Sequence, residues 1–575
     1  MGKKLRFDGP IVAKPQHPWG IISLSRGLPT IPIVMWPGGT LMLRRHVIWG
    51  MSANIFSEGE GMFSMRGQTH LIGAAQKILT GVGVATATAI FGFVFSAVTF
   101  GTIPPANALP SYARQTGQPC GTCHTDYPAL TPYGRLFKLG GYTAGGGKYR
   151  STLFPSQNDS TKALAGYAKN PGSGMPTKAP SDTSEINPYA PPISMMAIVG
   201  FTHTQADQDP NGSPFKPNDN VVVAPVSVFY GGAITDHIGA FAQFTYNNAT
   251  FGGLDPSDPY ASRLWAQDNI DVRYANTGNI GGMPVTYGIT GNNNPSVQDP
   301  WNTTPTWSFP YAVSSVAPDP GVGTLIDGAF AAHVGGVGGY VWINNLVYLE
   351  LSGYRTLSHD AQAKLGTDPF GAPGLFDGIA PYWRVAVEPH WGNHWLEFGA
   401  FGMSARVHPW TLIPDASGFY NSDTFPQTDR YNDIGFDSQY QYQGPNYWIT
   451  LRASYIHENQ TLDATFANGG SDNPTNTLNT FKALASLAYG NDNRIVVTGQ
   501  YFDTWGSTDA TFFAGDTSGY IAEIAYIPFI SSQAPGWPWA NVRVGLQYTY
   551  YNKFDGDTVF AHDKNTLFGY VWFAM

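Results

Sequence analysis

Five residues in this 575-residue chain have the types and spacing to do chemistry on their own: Cys120-Gly121-Thr122-Cys123-His124. Two thiols separated by two residues, followed at once by an imidazole, form the attachment pattern of a c-type haem. The thiols add to the haem vinyl groups as thioethers, and the histidine is placed to become the proximal iron ligand. The chain holds only two cysteines, and both are in this run. A structural zinc site wants four Cys/His ligands and finds only three here. A thioredoxin-type C-x-x-C would sit in a βαβ setting that the flanking sequence lacks.

The other elements must deliver this run to the right compartment and build walls around it. From Ile78 to Ala113 there is no charged residue. That apolar stretch follows Arg66 and Lys77 and ends in Ala106-Asn107-Ala108, so residues 65–108 read as a secretory signal peptide cut before Leu109. The competing reading is a transmembrane anchor, disfavoured by the small, Thr-rich composition and the A-x-A end. Residues 1–64 show no periodicity and read as an over-called gene start, with Met51, Met62 and Met65 as alternative starts. Residues 109–575 keep 22 of the 31 Lys/Arg and 37 of the 40 Asp/Glu, a net charge of −15. That balance argues against nucleic-acid binding.

The run from Pro110 to Thr143, P-S-Y-A-R-Q-T-G-x-x-C-x-x-C-H-T-x-x-P-x-L-T-P-Y-G-R-x-F-K-L-x-G-Y-T, resembles the fused monohaem cytochrome–porins of the bacterial outer membrane. The best-known members of that family are iron oxidases. The likeness is dense over these 34 residues and looser beyond them, with Gly232–Ala240 as a further point of similarity. It implies one covalent haem c on Cys120, Cys123 and His124. It also implies a haem segment on the periplasmic side of a 16-stranded barrel or in its lumen. Fe(II) is the implied extracellular donor, a periplasmic c-type cytochrome or other carrier the acceptor, and Fe(II):cytochrome c oxidoreductase the possible activity.

Beside that resemblance, the residues give their own expectations. Residues 109–147 form the haem segment, in which Pro128, Pro132 and Gly134 limit helix to one or two turns around Tyr133–Tyr142. Arg114, Arg135 and Lys138 are candidates to pair haem propionates. About 40 residues cannot enclose a haem, so walls must be borrowed. No Met or His follows His124 until Met175, which leaves Met195, Met196 and His203 as distal-ligand candidates. Residues 148–190 read as a Ser/Pro/Gly-rich linker.

From residue 191 the pattern becomes alternating segments of about 10–13 residues, the length of tilted membrane strands. Sixteen are expected, among them Leu325–Val334 and Gly339–Tyr354, forming an all-β, antiparallel, porin-like outer-membrane barrel in contact with lipid. A soluble β-sandwich gives similar alternation. It does not account for the alternation of short turns, such as Gly490–Asn493, with long polar connections at Asp255–Tyr260, Gly291–Gly323, Leu357–Gly378 and His408–Arg430. It also leaves unexplained the aromatic final strand, which ends in Met575 rather than phenylalanine. Asp271, Arg273, Arg384, Glu388, Glu397, Arg452, Glu523 and Arg543 are expected to face the lumen. His390 and His394 with Glu388 or Glu397 read as turn residues rather than metal ligands, and the Asn248-Ala249-Thr250 sequon carries little weight. Three functions fit: an electron conduit, a diffusion porin with a haem-bearing plug or sensor, and a five-coordinate haem for a small ligand or peroxide.

Overall fold

The computed structural model describes residues 109–143, 192–208, 215–246, 265–367, 371–409, 427–513 and 515–575. The expected gene start, signal peptide and linker lie outside these residues. So do the sequon, the Asp255–Tyr260 connection and most of His408–Arg430.

Sixteen antiparallel strands close into a barrel. They are β1 (Ile193–Thr204), β2 (Asn220–Ala233), β3 (Ile238–Tyr246), β4 (Trp265–Ile280), β5 (Met283–Asn292), β6 (Val334–Ile343), β7 (Val347–Thr356) and β8 (Ala380–Val387), then β9 (His394–Pro409), β10 (Asp429–Gln443), β11 (Tyr447–Thr461), β12 (Thr475–Tyr489), β13 (Arg494–Gly506), β14 (Thr517–Ile527), β15 (Asn541–Lys553) and β16 (Thr566–Ala574). Each pairs with its sequence neighbour, and β16 pairs with β1 from Thr566↔Thr204 to Ala574↔Met196. Closure leaves no open edge. Two short strands, Gly374–Phe376 and His390–Trp391, add to β9 outside this ring.

The period-2 pattern sorts the faces. On β7, Tyr348, Glu350 and Ser352 are buried while Leu349 and Leu351 are exposed; on β13, Val496, Thr498 and Gln500 are buried while Ile495 and Val497 are exposed. The polar residues thus turn inward and the large apolar ones outward, the inverse of a soluble sandwich.

Two expected strands are corrected. Leu325–Val334 is not a stave, because Leu325–Ala329 is a tight helical turn in which Gly328 takes φ 108°. Its Leu325 and Ile326 N–H groups donate to Glu458 (2.5 Å) and Asp433 (2.8 Å), while Leu325, Ile326 and Phe330 enter an inner core with Tyr354 and Phe401. Gly339–Tyr354 is instead part of the hairpin β6–β7, turned by Asn344 and Asn345, both at φ 53°. The three-residue loop 344–346 closes with the Leu346 N–H donating to the Ile343 carbonyl at 3.0 Å, and asparagine tolerates the positive φ that this needs. One lost strand and one gained strand leave the count at sixteen.

The correction enlarges the connection between β5 and β6 to residues 293–333, and this connection folds inward. Gln298, Asp299 and Trp301 are fully or almost fully buried. Asp299 accepts from the Trp301, Thr303 and Thr304 N–H groups at 2.8–3.0 Å. At the end of the barrel where most connections are short, the β14–β15 connection (528–540) is the long one.

Candidate functional site

Residues 109–143 lie inside the barrel at its short-turn end. They form α1 (Pro110–Thr116), α2 (Cys120–Cys123), a small ladder pairing His124–Asp126 with Ala129–Leu130, and α3 (Pro132–Leu139). Local sequence explains the breaks. Gly117 ends α1 at φ 65°, Pro132 opens α3, and the Thr131 hydroxyl caps it by accepting from Gly134 N–H at 3.2 Å. A Cβ on Gly134 would stand 2.2 Å from the Cys123 carbonyl oxygen, so α3 can pack on the cysteine turn only with glycine there.

The wall grips this segment by its polar groups. Arg494, at the start of β13, donates to the His124 and Thr125 carbonyls at 2.9 and 2.8 Å. Arg543 on β15 bridges Asp126 of the segment and Glu523 of β14. Tyr142 donates to Asp271 at 2.6 Å, and Lys138 Nζ donates to the Val297 and Asp299 carbonyls of the infolded loop, both at 2.7 Å. From the 528–540 connection, the Ile530 carbonyl accepts from Gly121 N–H at 3.0 Å, and Trp539 lies under the Arg114 guanidinium. Buried charge is tolerated here because it meets a partner.

A cavity of about 380 Å³ opens beside the cysteine turn. Cys120, Cys123, His124 and Tyr127 form its floor, and Met196, Ile198, Phe229, Phe241, Trp307 and Trp572 are among its apolar walls. Burial pushes the two thiols up, to about 11 for Cys120 and about 12 for Cys123, and pushes His124 down to about 4. At neutral pH the imidazole is therefore uncharged, the form that ligates iron. Backbone groups of Ala129 and Pro128 face the ring. The Tyr127 hydroxyl and Trp572 Nε1, both in this wall, are buried without a hydrogen-bond partner among the described residues. An apolar, aromatic cavity with two thiols, a neutral imidazole and two free donors fits a c-type haem.

The other candidates separate. Met196 lies on the inward face of β1 between buried Ser194 and Ile198 and lines the cavity within a Phe137/Phe229/Phe241 cluster. Met195 borders the cavity too, but its residue is 43% exposed on the opposite face of the strand. His203 is near the long-loop end of β1, exposed and bonded to Asp219 at 2.8 Å, and the fold does not bring it to the cavity. Nor do Arg114 and Arg135 line it. Arg114 donates to the Ile193 carbonyl at 2.5 Å, and Arg135 is held by Glu388 at 2.8 Å and Gln441 at 2.6 Å. Lys138 does border the cavity, with its ammonium engaged as described.

The eight expected lumen residues all point inward and are buried. Their interactions include Asp271–Arg273 at 2.7 Å, Arg384–Glu397 at 3.0 Å and Arg452 Nε to Gln439 at 2.7 Å. His394 bonds the Tyr440 hydroxyl at 2.7 Å. Among the described residues, no group of three or more His, Cys, Asp or Glu is placed to hold a metal ion. Sequence reasoning missed Arg494 and Trp572, since nothing local marks a residue whose role is set by a segment 370 or more positions away, and it missed Tyr127, whose unpartnered hydroxyl only the fold shows.

Sequence comparison finds no matching family profile and no matching curated relative. Among solved structures, the chain is similar to a loop L8 deletion mutant of OmpT, an outer membrane protein of Vibrio cholerae. That likeness has 10% identity and a TM-score of 0.35, over 67% of this chain and 98% of that one. It is also similar to Salmonella typhi OmpF in complex with daunomycin (11%, 0.37, 67% and 97%) and to Pseudomonas putida OprB (11%, 0.35, 66% and 93%). The barrel assignment itself stands on the strand pairing given above.

Proposed function

We propose that this protein is an electron conduit of the bacterial outer membrane. It takes electrons from an extracellular donor, Fe(II), and passes them to a periplasmic cytochrome, acting as an Fe(II):cytochrome c oxidoreductase. The observation that carries the reading is the enclosure of the C-x-x-C-H turn within a closed barrel, against a cavity of about 380 Å³. Membrane insertion is supported by the outward face, where Ile289, Leu351, Phe398, Phe436, Val497 and Ile524 are all exposed. Soluble monomers rarely expose apolar surface on that scale. Short turns mark the periplasmic end of such barrels, which is the end that holds residues 109–143.

Cys120 and Cys123 would hold the haem covalently, and His124 and Met196 are the cavity side chains that would ligate its iron. Haem c supplies a one-electron couple. Arg494 fixes the backbone at His124 and so the direction of the imidazole. Tyr127 and Trp572 offer free donors for the propionates, in place of Arg114 and Arg135, which do not line the cavity. An apolar band about 25 Å tall separates the two aqueous phases, and a redox centre held in the lumen shortens the gap a soluble carrier cannot cross.

Stopped-flow mixing of the haem-loaded protein with Fe(II), followed at the Soret and α bands, tests this reading. Rapid reduction that disappears in His124→Ala is expected, and a haem that stays oxidised in the wild type removes Fe(II) as donor. Met196→Leu is expected to convert a six-coordinate spectrum to a five-coordinate one and to lower the midpoint potential, since a Met/His pair raises it. Met195→Leu leaves both unchanged. The diffusion-porin reading draws on the barrel architecture but meets a lumen filled by residues 109–143 and 293–333. Negligible conductance of the intact protein in a planar bilayer is expected, and a wide open-pore conductance favours the porin instead.

A further inference from the structure

A β-bulge interrupts the wall of the cavity. Between β3 and β4 the pairing runs Ala242↔Ile270 and then Phe244↔Gln267, so Asp268 and Asn269 together oppose the single residue Gln243. A bulge re-aims side chains that regular alternation would send to the other face. Here Gln267 and Asp271, both buried, hold the inward positions on either side, and strict alternation would turn Asp268 outward. Instead Asp268, Asn269 and Gln243 all line the cavity. The Asp268 carboxylate accepts from Thr245 Oγ1 at 2.8 Å and from Asn269 Nδ2 at 3.0 Å. These bonds fix its direction without neutralising it, and among the described residues it has no salt bridge.

Asp268 is the only carboxylate on the described cavity wall. The other carboxylates around the segment, Asp126, Asp271, Asp299 and Glu388, meet an arginine. His124 is gripped from β13, whereas Asp268 comes from β4, on a separate part of the wall. A negative charge left unpaired in a low-dielectric cavity attracts a cation strongly. A carboxylate is a hard oxygen ligand of the kind that suits a hydrated divalent cation. With one carboxylate the site binds through the cation's water shell, as a transient donor that must leave as a trivalent ion requires.

We infer that Asp268, aimed by the bulge, is the docking point for a hydrated divalent metal cation that donates electrons in the cavity, an inference that rests on the conduit reading. The bound Fe(II) loses one electron and the ferric haem iron gains it; no bond is made or broken. Asp268→Asn tests it, because the amide keeps the shape and loses the charge, and Asp268→Glu restores the charge one methylene further out. In the haem-loaded Asp268→Asn protein, the Fe(II) concentration giving half-maximal reduction rate is expected to rise about tenfold or more, equivalent to ~1.4 kcal/mol or more. The haem spectrum stays as in the wild type and the reduction rate by an uncharged hydroquinone does not fall, while Asp268→Glu lies between. An undiminished Fe(II) rate, or an equal fall with hydroquinone, overturns the inference. Binding of Mn(II), read by its electron paramagnetic resonance in the haem-loaded protein, separates the two readings if Fe(II) fails to reduce the wild type. Mn(II) bound by the wild type and released by Asp268→Asn then keeps the cation site while the Fe(II) donor falls. Absence of Mn(II) binding in the wild type removes the site.

Discussion

Arg543→Met is expected to unseat the 109–143 segment while the barrel stays closed. The guanidinium is fully buried, donates to Tyr570 Oη at 2.7 Å and the Tyr127 carbonyl at 3.2 Å, and bridges Asp126 and Glu523. Removing it strands two carboxylates with no cation between them. Breaking a buried pair from one side costs about 3–5 kcal/mol, because the remaining charge is neither solvated nor paired. The wall can absorb that cost through its many ladder bonds, whereas a segment of 35 residues held by a handful of polar contacts cannot. The measurement is tryptic cleavage after Arg114, Arg135 and Lys138 in detergent-solubilised protein, three sites buried in the native state. Rapid cleavage at all three is expected in Arg543→Met. Partial recovery is expected on adding Asp126→Asn and Glu523→Gln, since neutral amides cost less to leave in the lumen. Protection equal to wild type in Arg543→Met would show that other contacts seat the segment.

Much of this architecture was legible from the chain because it obeys local rules. Alternation on β11, β13 and β15 follows from a polar lumen and an apolar exterior, and the lumen residues announced themselves as charges at regular positions in apolar strands. The C-x-x-C-H run is a local pattern, readable without any fold, and the structure sets it as a short helical turn beside the cavity. What escaped depended on contacts distant in sequence. Leu325–Val334 looks like a strand because its apolar residues suit one, yet they are drawn inward by Phe401 and Tyr354, and its N–H groups are taken by Glu458 and Asp433. The Asn344–Asn345 turn was visible in principle as two residues tolerant of positive φ, but unbroken apolar flanks hid it. Arg114 and Arg135 stand out in the sequence by their charge and their nearness to the cysteines. The Ile193 carbonyl and Glu388, 79 and 253 positions away, decide instead where they point. Asp268 is the clearest case, since a bulge reverses the face that its position in the strand implies.

The second large effect is expected from Arg384→Leu, at the contact between the infolded loop and the wall. Arg384 is fully buried and sits among three carboxylates: Asp299 of the loop at 3.3 Å, Glu397 of β9 at 3.0 Å and Asp437 of β10 at 2.7 Å. The guanidinium fork is what lets two strands and a loop bring three negative charges together, and lysine, a point charge, cannot replace that geometry. Without it, Glu397 and Asp437 remain fixed by their ladders, and Asp299 is the one partner free to move away. Repulsion then acts against the loop, with a cost of several kcal/mol of the size expected for an uncompensated buried charge, about 3–5 kcal/mol. Trp301, buried with its Nε1 on Glu388, leaves with Asp299 two residues before it. The expected results are a red-shifted tryptophan emission and a single-channel conductance above the low value expected of the native protein. Arg384→Lys should fall between, and lowering the pH should restore the closed state of Arg384→Leu by protonating the carboxylates that repel. The sign follows from their shared charge: each proton bound in the closed form removes repulsion, so closure gains stability as pH falls. An Arg384→Leu protein with native conductance and native emission would place the hold on the loop in Lys138 and the Glu458–Leu325 contact instead.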